Sequence, residues 1–269
     1  MARFTRFSLL TVAVCALAAP LLAADGVLIV EKTTTGGKTT THQIQIEKTR
    51  MRAETAGPGG DAQVIVFDGT KQVMWIIHND KKTYNEMTKA DVDAMGDQMA
   101  GMMAQMQEQM KNMPPAQRAQ MEAMMRGRMG GAMPAAPAKP DYRKAGTDKV
   151  GKWTCDKYEG YQNDQKNSEV CTVDPSALGF GASDFEVTRQ LGEFFKKLAP
   201  QNAQQMFSVG KAEEQGFSGV PVKRVSGMGE HQVITEMSEV TRQSFPASTF
   251  EVPAGFQKEA IGFGGRRGR

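Results

Sequence analysis

The sequence predicts an α+β protein built mainly from an antiparallel sheet. Short β-rich runs separated by turn residues fill most of the chain, which predicts about ten strands. A methionine-rich segment with helical spacing interrupts these runs, and one amphipathic helix follows in the C-terminal half. Runs of strands grouped around a few helices are typical of the α+β class.

The first 24 residues are ordered like a secretory signal peptide. Arg3 and Arg6 make a positive start, an apolar run follows over residues 7–22, and small residues favour cleavage after Ala24. The apolar run is short for a membrane-spanning helix, and no later stretch approaches the roughly 20 apolar residues that such a helix needs. We therefore expect export and no transmembrane segment after cleavage.

Lipidation and nucleic-acid binding are not indicated. Val14 precedes Cys15, whereas a lipoprotein signal needs a small residue there. Without its signal peptide the chain has 31 basic residues (33 less Arg3 and Arg6) against 30 acidic residues, so it is nearly neutral. No basic stripe of the kind that nucleic-acid binding requires is visible. The expected location is periplasmic or secreted, as a soluble protein.

The two cysteines that remain after signal removal are Cys155 and Cys171. An even pair in an exported chain predicts a disulfide. A loop of this length is worth on the order of 3 kcal/mol in the chain-entropy model. No histidine neighbours either cysteine, so a metal site is not favoured.

Residues 25–87 are expected to form an antiparallel meander. Two β-rich runs flank Gly36-Gly37, which predicts a hairpin. Asp68-Gly69 is expected to make a tight turn between two strongly apolar strands. The predicted strands span 27–31, 39–46, 49–54, 63–67, 71–77 and 82–86.

Residues 88–140 differ in composition and are expected to be an inserted helical hairpin followed by a Pro/Ala linker. Methionines recur every three or four residues, which is the stripe of an amphipathic helix. Pro114-Pro115 ends this helix, and a second helical stretch is predicted over 116–128. The stripe consists of Met95, Met99, Met102, Met106, Met110 and Met113.

The sheet is expected to resume over residues 141–256. A helix is predicted over 184–198, with Ser183 as its N-cap. Residues 257–269 are assigned to a Gly/Arg-rich tail that we expect to be disordered. The predicted strands of this part span 152–155, 157–162, 169–173, 220–225, 232–244 and 249–252.

The residues indicate neither an enzyme nor a cofactor. His42, His78 and His231 lie outside any recognisable nucleophile motif. No cluster of Cys, His and carboxylate residues has the spacing of a zinc site. No glycine motif joins a strand to a helix, as phosphate-binding loops require.

The methionine stripe leaves three interpretations open. Thioethers are soft ligands that suit Cu(I), so Met99, Met102, Met103 and Met106 are candidate metal ligands. Methionine also packs adaptable surfaces, so the stripe could be a lid or the surface that binds a partner. A poorly ordered insertion is the third interpretation. No nearby His or Cys supports the metal interpretation, so a packing surface is favoured.

The two tryptophans lie in strand-like runs. They either pack in the core or line an apolar cleft that holds a hydrophobic ligand. In the second case the candidate ligand-binding residues are Phe67, Met74, Trp75, Trp153 and Phe194.

The run from Phe67 to Ile77, followed by Lys81-Lys82-Thr83-Tyr84, resembles the central hairpin of the outer-membrane lipoprotein carrier (LolA-like) superfamily. The chain is more similar still to a bacterial envelope family catalogued as domain of unknown function 4412. The signal peptide, the Lys-Lys-Thr-Tyr strand and a Met/Gln-rich insertion with a turn at residues 114–118 carry this resemblance, which spans residues 26–252.

The resemblance implies a curved antiparallel half-barrel with helices over a concave apolar face. Superfamily members carry or sense lipid or lipoprotein acyl chains. The long insertion departs from their pattern, because it could cover or replace the usual lid. The first hypothesis is therefore a non-enzymatic binding or carrier protein with an apolar cleft for lipid or acyl chains. Cu(I) handling and a Met-rich module that docks an envelope partner are the alternatives.

Overall fold

The computed structural model describes residues 26–56, 62–111, 114, 117, 141–162, 164–198, 216–227 and 232–261. The predicted signal peptide, nearly all of the second predicted helix, the Pro/Ala linker and His231 lie outside the described residues. The expected disorder of residues 262–269 lies outside them as well.

The described strands form one open sheet of mostly antiparallel strands. Its strand order is β12-β6-β5-β4-β3-β2-β1-β11-β10-β9-β8-β7, so β1 near one end of the chain pairs with β11 near the other. Neighbouring strands of this sheet are antiparallel except β12 and β6, which are parallel. The strands are β1 (Gly26–Thr35), β2 (Lys38–Ile46), β3 (Arg50–Ala56), β4 (Ala62–Asp68), β5 (Val73–His78), β6 (Thr83–Thr88), β7 (Asp141–Val150), β8 (Trp153–Gln162), β9 (Gln165–Val173), β10 (Val220–Ser226), β11 (Val233–Gln243) and β12 (Gln257–Glu259).

In the part of the chain that the structure describes, two α-helices accompany the sheet, which confirms the α+β class. Helix α1 (Lys89–Lys111) is the first half of the predicted Met-rich hairpin. It begins in a reciprocal cap, because the Asp91 N–H donates to Thr88 Oγ1 (3.2 Å) and the Thr88 N–H donates to Asp91 Oδ2 (2.9 Å). Helix α2 (Glu186–Phe195) lies in the C-terminal half. Neither helix is long and apolar enough to cross a membrane, and the same holds for the rest of the described chain.

Four local predictions are wrong. The strands predicted over 152–155 and 157–162 are one continuous strand, β8, because Asp156 between them pairs with residues of β7 and β9. The helix predicted over 184–198 with Ser183 as N-cap is shorter, because a 3₁₀ turn (Ala182–Phe185) precedes α2 and Asp184 Oδ2 accepts the Gly181 N–H (2.7 Å). The strand predicted over 249–252 is a 3₁₀ turn (Ala247–Phe250), because the Phe250 side chain is buried against β4 and β5. Residues 257–259 lie in the predicted disordered tail, but they form β12 because their backbone pairs with the edge of β6.

Strands β4 and β5 carry apolar side chains on both faces, and each face has its own core. The helix-side cluster lies between these strands and the two helices: Phe67, Met74, Met87, Val92, Val187, Leu191 and Phe194. The opposite cluster lies under the 3₁₀ turn near residue 250: Val64, Val66, Ile77 and Phe250. A third cluster surrounds Cys155 and Cys171, and Ile46 packs against both this cluster and the helix-side cluster.

The predicted disulfide is confirmed. Cys155 in β8 and Cys171 in β9 are bonded, with 5.5 Å between their Cα atoms. Both side chains are buried in the third cluster, so the bond joins two neighbouring strands inside a core.

Candidate ligand site between the helices and the sheet

The helix-side cluster is the candidate site, because it is the apolar sheet face that both helices cover. Phe67 of β4 pairs with Met74 of β5, and Met74 pairs with Met87 of β6, so these three side chains share one face. Phe194 of α2 is fully buried against them, and its ring centroid lies 5.3 Å from that of Phe67 in an edge-on arrangement. An apolar ligand that entered here would meet side chains from the sheet and from both helices.

Helix α2 packs against the turn after β4. Asp68 is buried, and its Oδ1 accepts the N–H groups of Thr70 and Lys71 (3.0 and 2.9 Å), which fixes the turn. Gly69 follows, and a Cβ there would lie 1.8 Å from Gln190 Oε1 of α2. The Phe-Asp-Gly sequence therefore supplies a core ring, a turn cap and a position where the helix can approach closely.

One glycine allows helix α1 to pack closely against the turn after α2. Gly96 lies against the turn after α2, where an added Cβ would be 2.9 Å from the backbone C and O atoms of Lys197. Asp97 and Lys197 form an ion pair beside it (3.2 Å). Before Gly96 in the helix, Val92 is fully buried and Met95 packs against the helix-side cluster.

Beyond Gly96 the methionines of α1 are more exposed. Met99 is 48% exposed and Met102 is 58% exposed, whereas Met103 and Met106 are half-buried. The four candidate Cu(I) ligands thus lie on the outer part of α1 and not in the helix-side cluster. Among the described residues, no group of three or more His, Cys, Asp or Glu side chains could hold a metal ion.

We expect Gly96→Ala to destabilise the protein by about 1–3 kcal/mol, because the methyl group has rigid backbone in its way and α1 must move. Gly101→Ala in the same helix is the matched control. Nothing lies within 4 Å of its added Cβ, so this change should stabilise by about 0.5–1 kcal/mol through helix propensity. Equilibrium denaturation of both variants checks the prediction. If both substitutions raise the free energy of unfolding, the close contact between Gly96 and Lys197 is contradicted.

The structure brings three of the five predicted lining residues together and separates the other two. Phe67, Met74 and Phe194 are neighbours in the helix-side cluster. Trp75 points to the other face of β5, where its Nε1 donates to Glu86 Oε2 (3.0 Å). Trp153 is 6% exposed in the third cluster, around the disulfide.

Polar grooves occur elsewhere on the surface. One groove of about 250 Å³ lies beside the disulfide, where Lys157 pairs with Glu169 (2.6 Å). Another of about 550 Å³ lies at the turns after β2 and β4, where Arg50 pairs with Glu47 (2.5 Å). Because charged side chains line both grooves, neither groove is the apolar cleft that the sequence predicts.

Strand β1 carries a carboxyl group, Glu31, among apolar residues, and this group was not predicted as a candidate from the sequence. Glu31 continues the side of β1 that carries Val27 and Ile29, and it lies half-buried opposite His42 of β2. Burial raises the pKa of Glu31 above its ordinary value, against the opposing attraction of Arg224 and His42. A carboxylate in phase with buried apolar residues was the signal that could have found it.

We expect Glu31→Gln to raise the Tm at neutral pH and to have no such effect below about pH 4, where Glu31 is protonated in both states. A folded-state pKa above the unfolded value means that the charged form is disfavoured in the fold. Stability is therefore lost as the pH rises through the folded pKa, and the neutral amide removes that loss. Thermal unfolding from pH 3 to pH 8 checks this, and a lower Tm for Glu31→Gln at pH 7 would contradict it.

The fold and the helix-covered face define the class: an α+β protein with a large open sheet and an apolar core under two helices. The profile of the family described as domain of unknown function (DUF4412) matches residues 88–256. The chain therefore belongs to the DUF4412 family, as the resemblance indicated. The hairpin at residues 67–84 lies before the matched segment, whereas the turn at 114–118 lies within it.

The solved structures that the chain matches have low TM-scores and low sequence identity. An uncharacterized conserved protein from Thermus thermophilus is 8% identical, with a TM-score of 0.42, over 88% of this chain and 91% of that chain. MucB in complex with MucA(peri) is 11% identical, with a TM-score of 0.35, over 87% and 57%. A DUF1329 family protein from Desulfovibrio piger is 10% identical, with a TM-score of 0.21, over 86% and 90%. No curated protein sequence matches.

Proposed function

We propose that this protein is a non-enzymatic binding or carrier protein of the bacterial envelope, with an apolar ligand such as a lipid or acyl chain. The ligand site is the helix-side cluster. The observation that carries the proposal is that α1 contacts this apolar face through Val92, Met95 and Gly96, while Met99 and Met102 further along the helix are exposed. A helix that contacts the core through so short a segment can move away as a lid.

The location and the shape belong to the same proposal. The disulfide supports an oxidising compartment, and the signal-like first 24 residues support a periplasmic or secreted protein. We propose that the sheet curves into a half-barrel whose concave face is the one under the helices. An opening of α1 would then expose Phe67, Met74 and Phe194 on the floor of an apolar groove.

The test combines extraction with a pair of variants on α1. Protein purified from the envelope under native conditions is examined by native mass spectrometry, and an apolar fluorescent dye is used to measure binding. Met95→Glu places a charge where α1 meets the cluster, so we expect at least a tenfold loss of dye affinity. Met102→Glu, on the exposed side of the same helix, should leave the affinity unchanged.

Protein that is consistently empty and binds no apolar dye would contradict the proposal. Equal effects of Met95→Glu and Met102→Glu would also contradict it, because the dye would then bind outside the helix-side cluster. Circular dichroism of both variants establishes that the comparison is made between folded proteins.

The exposed thioethers of Met99 and Met102 favour two alternatives for this part of α1. They could bind Cu(I), or they could form the surface that binds a partner protein. Titration of Cu(I) into the natural protein and into a Met99→Leu/Met102→Leu/Met103→Leu/Met106→Leu variant distinguishes the metal role. Equal Cu(I) affinity in both proteins would exclude it. Crosslinking in cells, with and without residues 88–134, examines the partner role.

A further inference from the structure

The chain after Val252 crosses the edge of the sheet. Phe256 packs against the opposite cluster, β12 pairs with the edge of β6, and Ile261 packs against the helix-side cluster. We call residues 256–261 the strap. It passes around β6 from one face of the sheet to the other, so its two apolar ends lie on opposite faces.

The backbone of the strap is held in a defined register. Gln257 lies opposite Thr83, and its N–H donates to the carbonyl O of Lys82 (3.0 Å). Asn85 Nδ2 donates to the carbonyl oxygens of both Glu259 and Ala260 (3.1 Å each). The other end of this amide is fixed, because Asn85 Oδ1 lies 3.1 Å from His78 Nε2. A side chain of β6 thus extends the pairing beyond the three residues of β12.

One charged pair fixes the middle of the strap. Lys258 Nζ donates to Glu86 Oε1 (2.7 Å), while Glu86 Oε2 accepts the Trp75 Nε1–H (3.0 Å). The hydrogen bond from Lys258, and then that from Trp75, hold the pKa of Glu86 below its ordinary value. The carboxylate is therefore preoriented by Trp75 toward a cation at this one position of a paired strand.

These contacts have the form of peptide recognition by strand addition, where backbone pairing gives affinity and side-chain positions give specificity. The recognised pattern is an aromatic residue, a lysine two positions later and an aliphatic residue three positions after that. All three residues of β12 are exposed, so the paired strand contributes little to either core. The turn before it, in which the Phe256 N–H donates to Pro253 O (3.3 Å), offers a hinge.

We propose that the edge of β6 is a peptide-recognition site, which the strap occupies within its own chain and which the strap of a second copy can occupy in exchange. Exchange of an identical element through a hinge is a low-cost route to a dimer. Within one chain the strap competes at a high effective concentration, so the natural protein favours the internal arrangement. This proposal goes beyond the apolar ligand site and does not depend on it.

Two full-length variants test the exchange by reversing one charge each. In E86K the strap lysine meets a second positive charge on β6, and in K258E the altered strap meets Glu86, so each chain repels its own strap. In a mixture, the strap of either chain meets the opposite charge on the other chain. We expect a one-to-one heterodimer whose Kd is at least tenfold lower than that for self-association of either variant, measured by sedimentation.

The double variant E86K/K258E is the matched control, because its charges again attract within one chain. It should remain a monomer at the concentrations where the mixture dimerises. A mixture that associates no more than its components would overturn the proposal. Dimerisation of the double variant to the same extent would also overturn it, because the contact would then lie elsewhere.

A second measurement keeps Glu86 and its bond to Trp75 intact. A labelled peptide of residues 252–262 is titrated into the full-length K258E chain, and fluorescence anisotropy is recorded. The natural peptide should bind at least tenfold more tightly than the peptide that carries K258E. Equal affinity for the two peptides would overturn the proposal whatever the sedimentation result.

Discussion

Replacing Phe194 by alanine should lower the free energy of unfolding by about 3–5 kcal/mol, the range found for large aromatic side chains removed from a core. Phe194 is fully buried and touches both layers of the candidate site. Its ring makes edge-on contacts with Phe67 (5.3 Å) and Phe195 (5.0 Å). The cavity would open where the sheet and α2 meet, where neither element can collapse easily.

Urea denaturation measures this loss, and Phe180→Ala is the control. Phe180 is half-buried against the third cluster, around the disulfide. Phe180→Ala should therefore lower the free energy of unfolding clearly less than Phe194→Ala. A double-mutant cycle with Phe67→Ala should show a coupling of about 0.5–1.5 kcal/mol for the aromatic pair. A loss of less than about 1 kcal/mol for Phe194→Ala would show that α2 does not pack on β4 as described.

Removing the disulfide should be the next largest effect, about 3 kcal/mol for a loop of this separation. Cys155 and Cys171 are 16 residues apart in sequence, and the bond restricts the unfolded chain. Alanine is the right replacement at both positions, because both side chains are buried and a buried hydroxyl would add a cost of its own.

The natural protein under reducing conditions provides the comparison. Its free energy of unfolding should fall to approximately that of Cys155→Ala/Cys171→Ala, whereas the reductant should not change the variant. Equal stability of the oxidised and reduced natural protein would contradict the prediction. Guanidinium titrations with and without reductant give the free energy of unfolding of the natural protein and of the variant under both conditions.

The hairpins of the sheet were predictable because local signals agree with one another. Gly36-Gly37 and Asp68-Gly69 mark turns, and the β-rich runs beside them form the strands that pair in the structure. Strand β12 was not predictable in this way. Gln-Lys-Glu has no apolar pattern, and its pairing depends on Asn85 and Glu86, which are more than 170 residues away in sequence.

The candidate site was predictable only in part, because residue type does not fix the face of a strand. Met74 and Trp75 are adjacent in β5, so their side chains must point to opposite faces. Met74 and Trp75 therefore cannot line the same cleft, although the sequence analysis placed both of them in one. The role of Gly96 was not predictable, because Gly101 interrupts the same helical pattern and has nothing within 4 Å of its added Cβ.

The pairing of β1 with β11 has a consequence for the timing of folding. Gly26 lies opposite Gln243, so the middle of the sheet contains strands from nearly opposite ends of the chain. Contacts of such long sequence separation form slowly, because the loop-closure entropy must be overcome first. In the export that we propose, β1 would emerge from the membrane long before its partner strand. The central sheet would then be completed only after β11 had also passed through.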